Sequence, residues 1–177
     1  MAASDLLRLG SWLPKSVWMA MLLGFFGAVL PAHAANNCPW MNETTASSLL
    51  GGDSTGVYVA ATERKPAVCT FTQQAAQGVR SLEVTVKVVG DPQARLAQAE
   101  ETCGTDPAPL HAIGNEAIFC TGDDGPGQRS EHAVGRVRDQ VFSIMLVTSV
   151  KDDAVLTRDA LKARIYTASE QVAGNLF

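Results

Sequence analysis

The sequence predicts an α+β fold, a largely antiparallel sheet of five to six strands with two to three helices packed on it. Three observations predict it. Residues 81–89 alternate apolar Leu82, Val84, Val86 and Val88 with Glu83, Thr85 and Lys87, the period of a strand with one buried face. Leu161, Ile165, Ala168, Val172 and Leu176 step by four, three, four and four residues, a single stripe along a terminal helix. Between and before these lie short helical and β-branched runs in the order helix, strands, helix, strands, helix, with no repeat and no internal linker.

In chain order, Asn42 suits an N-cap, Glu43 the positive end of a first turn, Ala46, Leu49 and Leu50 an apolar stripe, and Gly51-Gly52 a stop. Val57 to Thr62 and Ala67 to Thr72 read as a hairpin around Glu63-Arg64-Lys65-Pro66, with Cys69 and Phe71 on one face of its second strand. After the alternating strand, Asp91-Pro92 supplies an N-cap with Pro at N1. Leu96, Ala99 and Cys103 then recur at helical spacing until Gly104, which predicts a helix of about 12 residues. Thr105 to Asn115 is expected as loop, Ala117 to Thr121 as strand, and Asp123 to Gly127 as a turn. Ala133 to Arg138 and Val141 to Val150 form the last predicted hairpin. The nearly unbroken apolar character of residues 141–147 predicts a central strand covered on both faces. Asp153 or Thr157 is placed to cap the terminal helix.

Composition and the first segment bound the function. The chain has 177 residues, 46% of them apolar, and a formal charge of −4, with Lys and Arg scattered; nucleic acid is excluded as an expected partner because no basic footprint is visible. Residues 1–34 read as a signal peptide: Arg8 and Lys15 precede the apolar run Val17 to Leu30, and Ala32-His33-Ala34 offers the small residues a signal peptidase needs. That run is shorter than the ~20 residues that span a bilayer core, so cleavage following Ala34 and no stable membrane insertion afterwards are expected, with a retained anchor as the alternative. Residues 35–177 are then a single secreted or periplasmic domain. It retains one Trp (Trp40) and two His (His111, His132).

All four cysteines lie beyond the signal segment, and an even count behind an export signal reads as two disulfides. Four cysteines permit three connectivities. Sequential pairing, Cys38-Cys69 and Cys103-Cys120, is the expectation, since it ties the N-terminal tail to a nearby strand and a helix end to the strand that follows. A zinc site is disfavoured because no C-x-x-C pair occurs.

Cys38-Pro39-Trp40 before a helix ending Leu49-Leu50-Gly51-Gly52, then Cys69-Thr70-Phe71, then Ile113-Gly114-Asn115-Glu116-Ala117 entering a strand, follow one another in an order that resembles small secreted or lipid-anchored bacterial domains of unassigned function with a PsbP-like fold of sheet plus helices. The likeness covers nearly all of residues 35–177. It departs from their pattern at His111-Ala112-Ile113-Gly114, which offers only the second glycine of the turn, and in lacking a lipobox. It implies a periplasmic or extracellular accessory or interaction domain and carries over no catalytic residue.

Chemistry-bearing residues are few. There is no G-x-S-x-G elbow, no H-E-x-x-H, and no alternation of oxygen donors suited to calcium. No cofactor or metal is expected. His111, Glu116, Glu131 and His132 are the residues from which a small hydrolase or metal site would have to be assembled, and loop and edge-strand roles explain them as well. The candidate binding residues are Trp40, able to stack on a ligand; Glu116, in the Gly-Asn-Glu-Ala turn; and Arg136 and Arg138, which with Arg129 gather around one hairpin. The leading expectation is an exported noncatalytic domain that binds a protein or small ligand. The alternatives are a small extracytoplasmic hydrolase and an inhibitor of an exported enzyme, the latter using 105–110 or 122–128 as an exposed loop.

Overall fold

The computed structural model describes residues 37–103, 107–122 and 125–177. The expected signal segment and its cleavage site, Gly104 and the Asp123-Asp124 pair lie outside the described residues.

Helix α1 (Glu43–Leu50) starts where the Asn42 side chain accepts from the Thr45 N–H. It ends at Gly51, whose left-handed φ of 75° lets its N–H reach the Ser47 carbonyl. The strands are β1 (Thr55–Val59), β2 (Ala67–Ala75), β3 (Gly78–Val88), β4 (Ala108–Pro109), β5 (Glu116–Thr121), β6 (Arg129–Val137) and β7 (Gln140–Thr148), and they form one sheet in the order β1-β2-β3-β7-β6-β5-β4. Every pairing is antiparallel. Helix α2 (Pro92–Glu101) crosses from β3 toward the far edge, and α3 (Arg158–Leu176) ends the chain. The α+β class holds.

The sheet is larger than the five to six strands expected, because the Pro-rich stretch after α2 contributes β4. Two residues long, it pairs with β5 through Ala108 and Pro109 and is too short to show alternation; a proline without an N–H is tolerated there because the strand is an edge. Boundaries also move. β1 begins and ends earlier than Val57 to Thr62, so its connection to β2 spans 60–66 rather than four residues. β6 starts at Arg129, not Ala133, since its ladder with β7 continues to the Arg129–Thr148 pair.

One face of the sheet carries the main core. Cys69, Phe71, Leu82, Val84, Phe142, Ile144 and Leu146 lie beneath Leu49 and Leu50 of α1 and the predicted stripe of α3, all buried. Thr157 caps α3 by accepting from the Ala160 N–H. Asp153 does something else. Its carboxylate takes a bidentate pair of bonds from buried Arg80, both 2.8 Å, and accepts from the Thr148 hydroxyl and the Val155 and Leu156 N–H groups. Burial alone would raise its pKa; these bonds outweigh that and hold it well below the carboxylate range. Arg80 also donates to the Leu50 carbonyl and Arg164 to the Leu49 carbonyl at 2.6 Å, so two guanidinium groups meet the negative end of α1.

Two disulfides fasten the periphery. Cys38–Cys69, with Cα atoms 5.7 Å apart, ties the N-terminal lead to β2, and Cys103–Cys120, at 5.1 Å, ties the end of α2 to β5. Among the described residues no helix is long and apolar enough to cross a membrane.

Candidate functional site

The second face of the sheet is only half covered, and that asymmetry creates the candidate site. Helix α2 is anchored at its inner edge. Leu96, its one buried residue, packs with Cys103, Ile118, Cys120 and Val134 over β5 and β6. The same helix presents Arg95, Ala99 and Thr102, spaced by four and three residues, along a stripe beside this anchor. Ala99 of that stripe packs, half-buried with Val141 of β7, against the edge of the same cluster, while Arg95 is exposed. The expectation that β7 is covered on both faces therefore holds only in part: Val141, Ser143 and Val147 are half-buried on this face. β7 is the middle strand, but Met145 on this face is 41% exposed, whereas Phe142, Ile144 and Leu146 on the other are buried.

A groove of about 340 Å³ lies between the α2 stripe and the strands, within the size range of small-molecule sites. Its floor consists of Thr85 and Lys87 of β3, Val141 and Ser143 of β7, and His132 and Val134 of β6, with Pro66 and Val89 at one end. Ladder pairing puts these residues on one face: Thr85 is opposite Ser143, Lys87 opposite Val141, and Val134 opposite Ser143. A second hollow of about 430 Å³ continues past His132 and Thr102 toward Gln128 and the Cys103–Cys120 bridge. His132 thus stands where the two meet. Burial pushes its imidazole below the ordinary value, so it is neutral at pH 7. No hydrogen bond from a described residue reaches its ring, and no described serine or carboxylate orients it as a base.

The residues singled out from sequence are dispersed. Trp40 is 9% exposed and edge-on to Tyr58 with centroids 6.1 Å apart, while its carbonyl accepts from Asn175 of α3. It is core, not a free stacking platform. Glu116 pairs with Arg136 at 3.2 Å across β5 and β6. Gly114, at φ 60°, lies where a Cβ would sit 2.6 Å from the Arg136 carbonyl, which accepts from the Asn115 N–H; the Asn115 side chain in turn accepts from the Arg138 N–H. The Gly-Asn-Glu-Ala segment is thus a latch onto the end of β6. The Arg138 guanidinium sits 5.9 Å from the Phe177 ring centre, while Arg129 lies at the opposite end of β6, about 23 Å from Arg136 at strand rise, so the three arginines do not gather. His111, whose carbonyl accepts from Tyr166, is exposed and belongs to the α3 side; it does not meet His132. Among the described residues no three His, Cys, Asp or Glu side chains converge in a metal-holding group.

Comparison with protein-family models, curated proteins and solved structures gives no match.

Lys87, Arg95 and the Ala99–Thr102 stripe were not among the residues chosen from sequence. The strand pattern places Thr85 and Lys87 on the polar face of 81–89, and helical spacing aligns Arg95 with Ala99 and Thr102, but neither pattern shows that the two faces oppose each other. That depends on α2 docking over β5 and β6, a tertiary fact.

Proposed function

We propose that the chain is exported, cleaved following Ala34, and that residues 35–177 act outside the cytoplasm as a noncatalytic domain taking a small ligand into the groove beneath α2. The observation that carries the binding reading is the half-covered face: α2 is pinned by Leu96 and the Cys103–Cys120 bond, and a lined concavity lies beside its Arg95–Ala99–Thr102 stripe. Export is supported by the charged, apolar and small-residue segments of 1–34 and by two disulfides, which persist in oxidising compartments. The motif order shared with small exported bacterial domains of PsbP-like type supports the same reading. A hydrolase would need His132 coupled to a nucleophile and a carboxylate, a set the described residues do not form. The inhibitor alternative rests on loops that are partly outside the described residues.

The test is native mass spectrometry of the protein recovered from the exported fraction. A chain starting at Ala35, with two disulfides and a bound small molecule that Ala99→Trp displaces while leaving the melting temperature within a few degrees, is the expected result. An intact Met1 with four titratable thiols overturns export; retention of the same molecule by Ala99→Trp overturns the groove.

A further inference from the structure

From the charge and lining of this groove we infer that its ligand is a small amphipathic anion, an apolar body with an acidic head; the inference rests on the groove reading above. Lys87 from β3 and Arg95 from α2 approach the concavity from different elements. Among the described residues neither forms an ion pair, which is common on this surface; what distinguishes them is that they share one concavity with no carboxylate in its lining, whereas Arg64 and Lys65 share theirs with Glu63 and Arg129 and Lys151 share theirs with Asp152. Arg95 donates instead to neutral Gln98. Among the described residues no acid lines the groove: Glu100 and Glu101 fall off the Arg95–Ala99–Thr102 stripe, Asp91, four residues before Arg95, spends its side chain on the Ala94 N–H, and Glu83, on the same face of β3 as Thr85 and Lys87, lies about 13 Å from Lys87 along the strand. On a chain whose formal charge is −4, two cations lining a groove with no carboxylate in its lining give it a local positive bias. An anionic head placed between them gains charge-assisted bonds from both, and the Thr85 and Ser143 hydroxyls add donors beside it. Val134, Val141 and Ala99 offer the body an apolar bed, and neutral His132 at the inner end adds no second charge to attract another head. The geometry therefore selects one acidic end and one apolar end.

Octanoate, octanamide and octylammonium share a chain and differ in head charge. Titrated into the purified protein and followed by backbone amide NMR, octanoate is expected to shift Thr85, Ala99, Val134 and Ser143 saturably, at least tenfold more tightly than octanamide, with octylammonium weaker still. The double variant Lys87→Gln/Arg95→Gln should erase the preference for octanoate while binding octanamide as before, and added salt should narrow it in the wild type. Octanamide or octylammonium binding the same amides as tightly as octanoate overturns the anion inference and leaves the groove as a binding site. No saturable shift at these amides with any of the three overturns the inference too. Failure of the groove itself is read separately, by Ala99→Trp retaining the native ligand.

Discussion

Arg80→Met would strand the Asp153 carboxylate among Thr148, Leu156 and the end of α1 with its two strongest bonds gone. Removing one partner of a buried ion pair costs about 3–5 kcal/mol, which urea denaturation at pH 7 would register as a lower midpoint. The same carboxylate sets an acid limb. Its folded pKa is depressed, so the stability it contributes is complete above the ordinary carboxylate value of about 4 and is lost as pH falls through that value toward the folded one. Asp153→Asn should lower stability at neutral pH and flatten its decline between pH 5 and 2; an unchanged acid slope would count against this assignment. Neither residue announces itself in sequence. Arg80 opens an alternating strand, Asp153 precedes a helix, and 73 positions separate them, so the local pattern favours a cap that the structure gives to Thr157 alone.

Local pattern does better at the scale of elements. Asn42, Asp91 and Thr157 cap their helices because each side chain satisfies an amide three residues on, and the α3 stripe is buried because its period matches the helix. β4 escapes because two residues carry no period. The cover over β7 is read only in part because apolar runs do not say how far a helix on the other face will reach. Helix α2 is the element to test. Leu96 is its one fully buried side chain, Ala99 packs beside it half-buried, and one disulfide holds its end, so Cys103→Ser/Cys120→Ser should accelerate amide exchange across 92–101 well before α3 is affected. On the chain-entropy account the bond contributes about 3 kcal/mol; equal protection of α2 in the variant would show that Leu96 suffices. Loosening α2 should weaken ligand binding in parallel, since Arg95, Ala99 and Thr102 ride on it.

At the scale of the molecule, reduction of both bonds removes about 3 kcal/mol apiece from a domain whose total stability is of the order of 5–15 kcal/mol. Calorimetry with and without reductant should show a drop in melting temperature of well over ten degrees, and a drop of only a few would mean that packing between α3 and the sheet dominates. The strand order has a further meaning. β1-β2-β3 and β4-β5-β6-β7 are each built from neighbours in the chain, and they join only where β3 meets β7. Cys38–Cys69 lies within the first set, and Cys103–Cys120 stays on the other side of the join. No disulfide crosses the seam; the β3–β7 ladder, the shared core beneath α1 and α3, Arg80 on Asp153 and Arg164 on the Leu49 carbonyl hold it shut. Two chains opened along that line, each into two stapled leaves hinged at α2, would rebuild the β3–β7 ladder between them in a swapped pair.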